Sequence, residues 1–314
     1  MLTRRHIRIK VLQSVYAFRQ SEHQDIEKQE KFLLYSIEQM HELYILLLQL
    51  FPALQEQAET YLTKSQKKHL ATAEEKNPSR RFIDNKLLQL IRDHQGLKTV
   101  VENKKLNYWD QDDEYITSIF KKLRKQDWYA AYLSKGETTF KEDKNFIVKL
   151  FKEVIAPSEG LYDYIEDKRL TWVDDFPLVN TALVKVLSSV SENNIESTLI
   201  PDLYKDMEDK EYALQLLRKV ILKDAHLSEE IEGKTPNWDK DRIAELDMII
   251  IKMGIAEFLY FPSIPVRATI NEYLEVAKEY STPKSSIFIN GILDKLVKEY
   301  TEADKLKKIG RGLR

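Results

Sequence analysis

The stretch INEYLEVAKEYSTPKSSIFINGILDKL, Ile270 to Leu296, decides the fold class. Ile270, Tyr273, Leu274 and Ala277 recur at helical spacing and make one inner stripe. After the STPKSS turn, Ile289, Ile292, Leu293, Leu296 and Tyr300 make another. Two amphipathic helices joined by a polar turn are therefore predicted. The second carries Asn290 and Gly291 in its middle, although glycine inside a helix costs about 1 kcal/mol relative to alanine. Phe288, Gly291, Lys295 and, if the turn belongs to the helix, Lys284 fall together on a flank away from the buried face. A ring, bare backbone and two ammonium groups suit an unpaired base and its phosphates. The alternative is that Gly291 lets another helix approach closely while Phe288 packs against it. The two readings are compatible if Gly291 packs and Phe288 does not.

Outward from this hairpin the chain reads as helix with little competition. Eight glycines and nine prolines in 314 residues are few, and period-2 alternation is hard to find, so the expected class is all-α. Asp25–Leu50 reads as a long amphipathic helix ended or kinked before Pro52, with Ala53–Gln66 continuing it. Lys76–Arg81 contains Asn-Pro and reads as a loop. Helices are expected around Phe82–His94, Glu114–Leu133 and Asn145–Val154. Trp109, Trp128 and several tyrosines sit inside amphipathic patterns and are expected in the core rather than as stacking platforms. Trp238–Phe261 reads as a strongly buried helix, and Pro265 opens the one after it.

Composition removes several function classes. Hydrophobic residues make up 43% of the chain and charged ones 32%, as in a folded globular protein. No apolar run approaches the roughly 18 to 20 residues that cross a bilayer. The basic N-terminus lacks the apolar core of a signal peptide, so a cytoplasmic location is expected. There is no cysteine, which removes thiol nucleophiles, thiolate metal sites and disulfides together. The six histidines (His6, His23, His41, His69, His94, His226) form no HExxH pair, and neither GxGxxG nor GxxxxGK[ST] occurs. The run DQDDE, Asp110–Glu114, lacks the glycine and distal glutamate of an EF-hand and reads as a solvated helix start. No cofactor or metal is expected, and a binding protein is favoured over an enzyme.

Charge is concentrated at the two ends. Met1–Ser21 carries Arg4, Arg5, Arg8, Lys10 and Arg19 with no acid, and Lys305–Arg314 carries Lys305, Lys307, Lys308, Arg311 and Arg314 with no acid, on a chain of net charge -2. Cationic ends on an acidic body suggest a footprint for a polyanion. Thr3 is an N-cap candidate, and cations in the first helical turn oppose the helix dipole by roughly 0.3–1 kcal/mol each. A sequence that accepts this at Arg4, Arg5, His6 and Arg8 is expected to use them outside the helix, with phosphate the natural guanidinium partner.

The chain also echoes itself. Glu142–Asp175 aligns without gaps on Glu208–Asp241, with twelve of 34 positions identical. Leu150/Leu216, Val154/Val220, Leu161/Leu227, Ile165/Ile231 and Trp172/Trp238 are among the shared positions. Both copies read as helix, short break, second helix, turn, tryptophan, which suggests a duplicated packing unit.

Arg4 to Tyr16, Trp238 to Glu257, Ile270 to Lys278 and Phe288 to Lys295 together closely resemble the NusB family of transcription antitermination factors. The family pattern is an Arg-rich first helix, a W-x-x-x-R-I helix, an INE-x-x-x-x-AK helix and a final FVNGVLDK helix. The resemblance implies two small helical bundles and binding of the single-stranded boxA element of ribosomal RNA leader transcripts. It also implies a small-subunit ribosomal protein, NusE, as partner, within the RNA polymerase antitermination complex. By position, Arg4, Arg5 and Arg8 would meet RNA phosphates, with Lys284, Phe288, Asn290 and Lys295 lining the same surface. Tyr16 and Asp247 fall where the family meets its protein partner. Two departures stand out: Ile287 occupies a position commonly lysine and Lys284 one that is often acidic, and residues from about 21 to 207 have no assignable counterpart.

The resulting expectation is an all-α RNA-binding transcription factor without enzymatic activity and without membrane association. Its domains are expected at 1–207, with the Arg-rich helix and a large helical insertion, and at 208–314, with the NusB-like helices and basic tail. A relative of the helical domains of rRNA cytosine methyltransferases is the rival from the catalytic class, and it would require a cysteine. A protein-interaction scaffold is the third possibility.

Overall fold

The computed structural model describes residues 2–67, 72, 76–234 and 244–313, and among these it holds sixteen α-helices and no strand. The fold is all-α, as the apolar stripes predict. In chain order the helices are α1 (Arg4–Gln20), α2 (Ile26–Gln66), α3 (Lys86–Asp93), α4 (Gln95–Lys104), α5 (Tyr108–Gln111), α6 (Asp113–Leu123), α7 (Asp127–Ser134) and α8 (Phe140–Leu150). They continue with α9 (Glu159–Lys168), α10 (Phe176–Ser189), α11 (Ile195–Thr198), α12 (Met207–Leu222), α13 (Asp224–Ile231), α14 (Glu245–Tyr260), α15 (Val266–Tyr280) and α16 (Pro283–Glu302). No helix among the described residues is long and apolar enough to cross a membrane. Trp238 and the other residues up to Ile243, expected to open the helix of α14, lie outside the described residues.

Two compact units emerge: unit 1 is Met1–Ile37 with Leu203–Arg314, and unit 2 is Glu38–Asp202. The division anticipated from the sequence, 1–207 against 208–314, differs in the place of α1, which joins the C-terminal helices.

The physical reason lies at Glu257 of α14. This carboxylate has no exposure to solvent. Arg8 of α1 donates to it twice, from Nε at 2.7 Å and from a terminal nitrogen at 2.9 Å. Thr269 Oγ1 and Tyr273 Oη of α15 each donate at 2.8 Å, and Tyr212 Oη of α12 donates as well. The Arg8 guanidinium also lies over the rings of Tyr212 and Tyr273. Burial alone would push the Glu257 carboxyl up, but the guanidinium and hydroxyls hold it below the usual carboxylate range. Four helices thus meet at one carboxylate. Around it the apolar positions of α14, Ile249 to Ile251 and Met253 to Ile255 among them, are buried on every side.

Further polar contacts close unit 1. Lys252 of α14, almost fully buried, pairs with Asp224 at 2.5 Å, and Arg19 reaches both Asp224 and Glu245. Arg218 forks onto Glu30 and ties α12 to the start of α2. The C-terminal basic run, expected as a solvated tail or a polyanion contact, is used internally at its described lysines. Lys305 pairs with Glu230 and Lys307 with Asp304. Lys308 donates at 3.0 Å to the carbonyls of Glu257 and Phe261, capping α14, and its burial lowers its pKa to about 8.

In unit 2 the helix does not end at Pro52: α2 runs through it to Gln66, the continuation that was expected over Ala53–Gln66. An internal proline costs about 3 kcal/mol. Leu46, Leu47, Leu48, Leu50, Phe51 and Leu54 are all fully buried around it, and each such side chain contributes about 1.5–3 kcal/mol, so burial wins. Of the two tryptophans expected in the core, Trp109 is buried and its Nε1 donates to the Leu46 carbonyl at 2.9 Å; Trp172, also buried, donates from Nε1 to the Gln39 carbonyl at the same distance. Trp128, half-buried, packs edge-on against Phe146. The acidic run opens α6 with Asp113 and Glu114, while Asp112 binds Tyr164 and Lys168.

The internal echo has a structural counterpart. α8 and α9 form one helix pair and α12 and α13 the other, one in each unit. The shared positions Leu150, Val154, Leu161 and Ile165 are buried, as are Leu216, Val220, Leu227 and Ile231. Each copy also buries an aspartate at the same place, Asp143 and Asp209. Asp143 accepts the Lys86 N–H at the start of α3, and Asp209 accepts Arg4 Nε at the start of α1.

Replacing Arg8 or Glu257 singly by methionine strands a buried charge and is expected to cost about 3–5 kcal/mol in urea unfolding. The double replacement, Arg8→Met with Glu257→Met, should cost clearly less than the sum, because neither charge is then left alone.

Candidate nucleic-acid interface

The N-terminal arginines divide into two kinds. Arg4 and Arg5 keep 37% and 39% of their side-chain surface exposed, whereas Arg8 keeps 3%. Arg4 Nε donates to Asp209 at 3.0 Å, and its guanidinium lies over the Tyr212 ring. Arg5 forks onto Glu272 at 2.9 and 3.0 Å and lies 3.8 Å from Glu275. These residues, with Thr3 and His6, line an open cleft of about 1040 Å³ whose other wall includes Glu208 and Pro265.

Magnitudes decide which arginine can serve an outside ligand. A surface ion pair is worth about 0–1 kcal/mol, so exchanging the Glu272 partner of Arg5 for a phosphate costs little. Freeing Arg8 would forfeit several kcal/mol, because Glu257 would stay behind charged and buried. The expectation that Arg8 meets phosphate is therefore corrected: Arg8 holds the fold, and it leaves Arg4 and Arg5 at the cleft.

His6 completes the first turn. Thr3 is the N-cap, and its N–H donates to His6 Nδ1 at 3.1 Å, so the imidazole acts as the acceptor of a capping box. Burial, and then the neighbouring Arg5, lower its pKa to about 4. A protonated ring would turn the acceptor into a donor and add a cation to the positive end of the helix.

The second set lies on α16. Thr282 is its N-cap, and Ser285, Ile289, Ile292, Leu293, Leu296 and Tyr300 form the buried face. Lys284, Gly291 and Lys295 are exposed, Phe288 is half-buried, and Ile287 is 75% exposed. Lys284 and Lys295 form no ion pair among the described residues. Asn290 Nδ2 donates to Asp294 at 2.9 Å, which holds its side chain along the helix. Lys298, also exposed, extends the same i, i+3, i+4 stripe by one turn. The sequence reading stopped short of it, although the periodicity that grouped Lys284, Phe288, Gly291 and Lys295 already pointed there.

Gly291 settles one expectation. A Cβ built there meets nothing within 4 Å, so no helix among the described residues approaches it. The close approach is made by a different glycine: a Cβ on Gly254 of α14 would lie 2.9 Å from Leu293 of α16.

α15 connects the two sets. It carries Glu272 and Glu275, the partners of Arg5, and packs against α16 on the far side of the Ser281–Thr282 turn. The turn is clamped to α14 by Ser281 Oγ, which donates to Asp247 at 2.6 Å. Asp247, expected at a partner surface, is only 5% exposed and serves this clamp, while Tyr16 of α1 is 40% exposed.

The NusB family model matches residues 178–298. A transcription antitermination protein NusB from Salinibacter ruber is 32% identical over 123 residues, which span 39% of this chain and 77% of that protein. The chain belongs to the NusB family. Its relatives include NusB proteins from Chloroherpeton thalassium, 36% identical over 122 residues (38% of this chain, 58% of that protein), and Methylacidiphilum infernorum, 42% identical over 94 residues (30% and 66%). The chain thus spans less than two thirds of the first of these relatives. No solved structure matches it. The NusB match begins inside α10, so the tract without a family counterpart is shorter than the expected 21–207 on its C-terminal side.

Two outcomes test this geometry by thermal melts. Gly291→Ala should stabilise the chain by about 0.5–1 kcal/mol, since the helix gains and nothing clashes; Gly254→Ala should instead lose about 1 kcal/mol through overpacking. For His6 the unfolded ring binds protons more readily than the folded one between about pH 4 and 6.5, so its contribution is present above pH 6.5 and is lost as the pH falls toward 4. Relative to His6→Gln, the wild type should lose roughly 1–3 kcal/mol across that window.

Proposed function

We propose that this NusB-family chain is an RNA-binding antitermination factor whose unit 1 takes single-stranded boxA-type sites of rRNA leader transcripts. It acts with the small-subunit ribosomal protein NusE in the RNA polymerase antitermination complex, in the cytoplasm, and performs no catalysis. The observation that carries the reading is the stripe of exposed Lys284, Gly291, Lys295 and Lys298 around the half-buried Phe288, in which a glycine destabilises a helix without admitting any neighbour among the described residues. Bare backbone at a solvent-facing position beside an aromatic ring leaves room for a base to stack on Phe288 and approach the helix. Arg5, held on cheaply exchanged carboxylates, supplies a phosphate contact, and Arg4, which stays paired with the buried Asp209, adds its partly exposed guanidinium to the same cleft. Asn290 is kept in place by Asp294 at the edge of the stripe. Tyr16 offers the partner contact directly, and Asp247 supports it through the Ser281 clamp.

Fluorescence titration with a short boxA-type RNA, with and without the ribosomal partner, tests this. Phe288→Ala should weaken RNA binding by about 1–3 kcal/mol with little change in melting temperature. Arg5→Ala should flatten the salt slope by about 0.7. Gly291→Ala should bind RNA more weakly although it is the more stable protein. A steep fall in stability for Phe288→Ala with RNA affinity intact would assign the ring to the core instead.

A further inference from the structure

Unit 2 contains a cavity that the proposed function leaves unused. It measures about 250 Å³ and is lined by Tyr61 of α2, Phe82, Phe120, Tyr129, Ser79 and Arg124. That is below the roughly 300–1,000 Å³ of a drug-sized ligand site and suits one ring system. Tyr61 meets Phe120 edge-on with centroids 5.8 Å apart, and Phe82 meets Tyr129 in the same way, also at 5.8 Å. The Arg124 guanidinium stacks 3.8 Å above the Tyr61 ring.

Arg124, which lines the cavity, belongs to a run of unmatched cations. Lys121, Lys122, Arg124 and Lys125, at the end of α6, are all exposed, and among the described residues none has a carboxylate partner. Lys122 reaches only the Ser158 hydroxyl, at 3.5 Å, and the Arg124 side chain makes no hydrogen bond there. Several other cations of this unit are matched, Arg80 by Glu59 and Asp84, Lys135 by Glu142 and Lys168 by Asp112. Among the described residues the exposed ones that are not, such as Lys98, Lys141 and Lys185, stand apart from one another in sequence, whereas these four fall within five residues. The helix dipole favours cations at a C-terminus by about 0.3–1 kcal/mol each, which explains their position but not the aromatic cavity beside them. Lys121 and Arg124, three residues apart, share a helix face.

We propose that this cavity is a second docking point for single-stranded RNA, in which an unpaired base enters between the rings and stacks on the Tyr61–Arg124 pair while Lys121 and Lys125 hold the flanking phosphates. An aromatic side chain of a partner protein would fit the volume, but it would leave the cation cluster unanswered. The ligand class rests on the RNA-binding reading of the family. The site itself is separate from the stripe on α16.

The test uses the full chain and two RNAs: a short boxA-type strand, and the same strand with about 10 unpaired nucleotides on each side, within the footprint of single-strand binders. Tyr61→Leu and the triple variant Lys121→Gln/Arg124→Gln/Lys125→Gln should leave affinity for the short strand within twofold of wild type. Both should weaken the flanked strand about tenfold, and the triple variant should lower its salt slope by about 1.4. Thiouridine in the flanks should crosslink to Tyr61 or Tyr129. If flanks add no affinity in the wild type, or the variants leave it unchanged as a protein-binding cavity would, the proposal falls. A flanked strand that binds through Tyr61 and Arg124 while the short strand fails to bind would overturn the interface on unit 1 and uphold this site; the converse result overturns only this site.

Discussion

The buried pair between Arg8 and Glu257 is the contact on which unit 1 depends. A carboxylate with no solvent exposure keeps its charge only if donors replace the lost water, and Glu257 has five hydrogen bonds from four residues on three other helices. Compared with a well-packed apolar cluster such an ion pair adds little net stability, but breaking half of it costs several kcal/mol. Alternative packings of α1, α12, α14 and α15 that keep the apolar faces together and separate these groups therefore lie well above the native one. This is why the first helix belongs with residues more than two hundred positions away rather than with the chain that follows it.

The same pair explains why part of the site was legible in the sequence and part was not. Helical periodicity exposed the stripe on α16, because a helical wheel needs only spacing. Lys284, Phe288, Gly291 and Lys295 were grouped from it, and the geometry keeps them on one flank. The arginines of α1 look alike in sequence, and the argument from dipole cost treats them alike. What separates Arg8 from Arg5 is the depth of their glutamate partners, Glu257 and Glu272, which are contributed by other helices at long sequence separation. The basic C-terminal run misled for a related reason: Lys308 is a capping residue for α14, and a cap supplied from elsewhere in the chain leaves no local signature.

Pro52 and the tryptophans illustrate the opposite balance. A proline predicts a break from local chemistry alone, yet a fully apolar stretch on both sides outweighs one lost hydrogen bond. Trp109 was assigned to the core from pattern, and its indole N–H, like that of Trp172, finds a carbonyl on α2, which removes the usual penalty for burying it. The duplicated helix pair was visible because burial conserves apolar identity at the same offsets. Its matching buried aspartates, Asp143 and Asp209, gained meaning only when each was found at the start of the helix packed on its copy.

Two glycines on facing helices show how one residue type answers two different constraints. Gly254 sits where α16 comes so near that even a methyl group would meet Leu293, and its cost in helix propensity is offset by the burial which that approach allows. Gly291, on the helix it contacts, faces open space, so no gain within the chain offsets its propensity cost. A position that destabilises a long helix by about as much as a hydrogen bond contributes, and returns nothing in packing, is what a surface for an external ligand would look like. The flanking ring of Phe288 and the lysines spaced one turn apart have the chemistry that a planar, unpaired and negatively charged ligand would need, which is the ground of the proposed function.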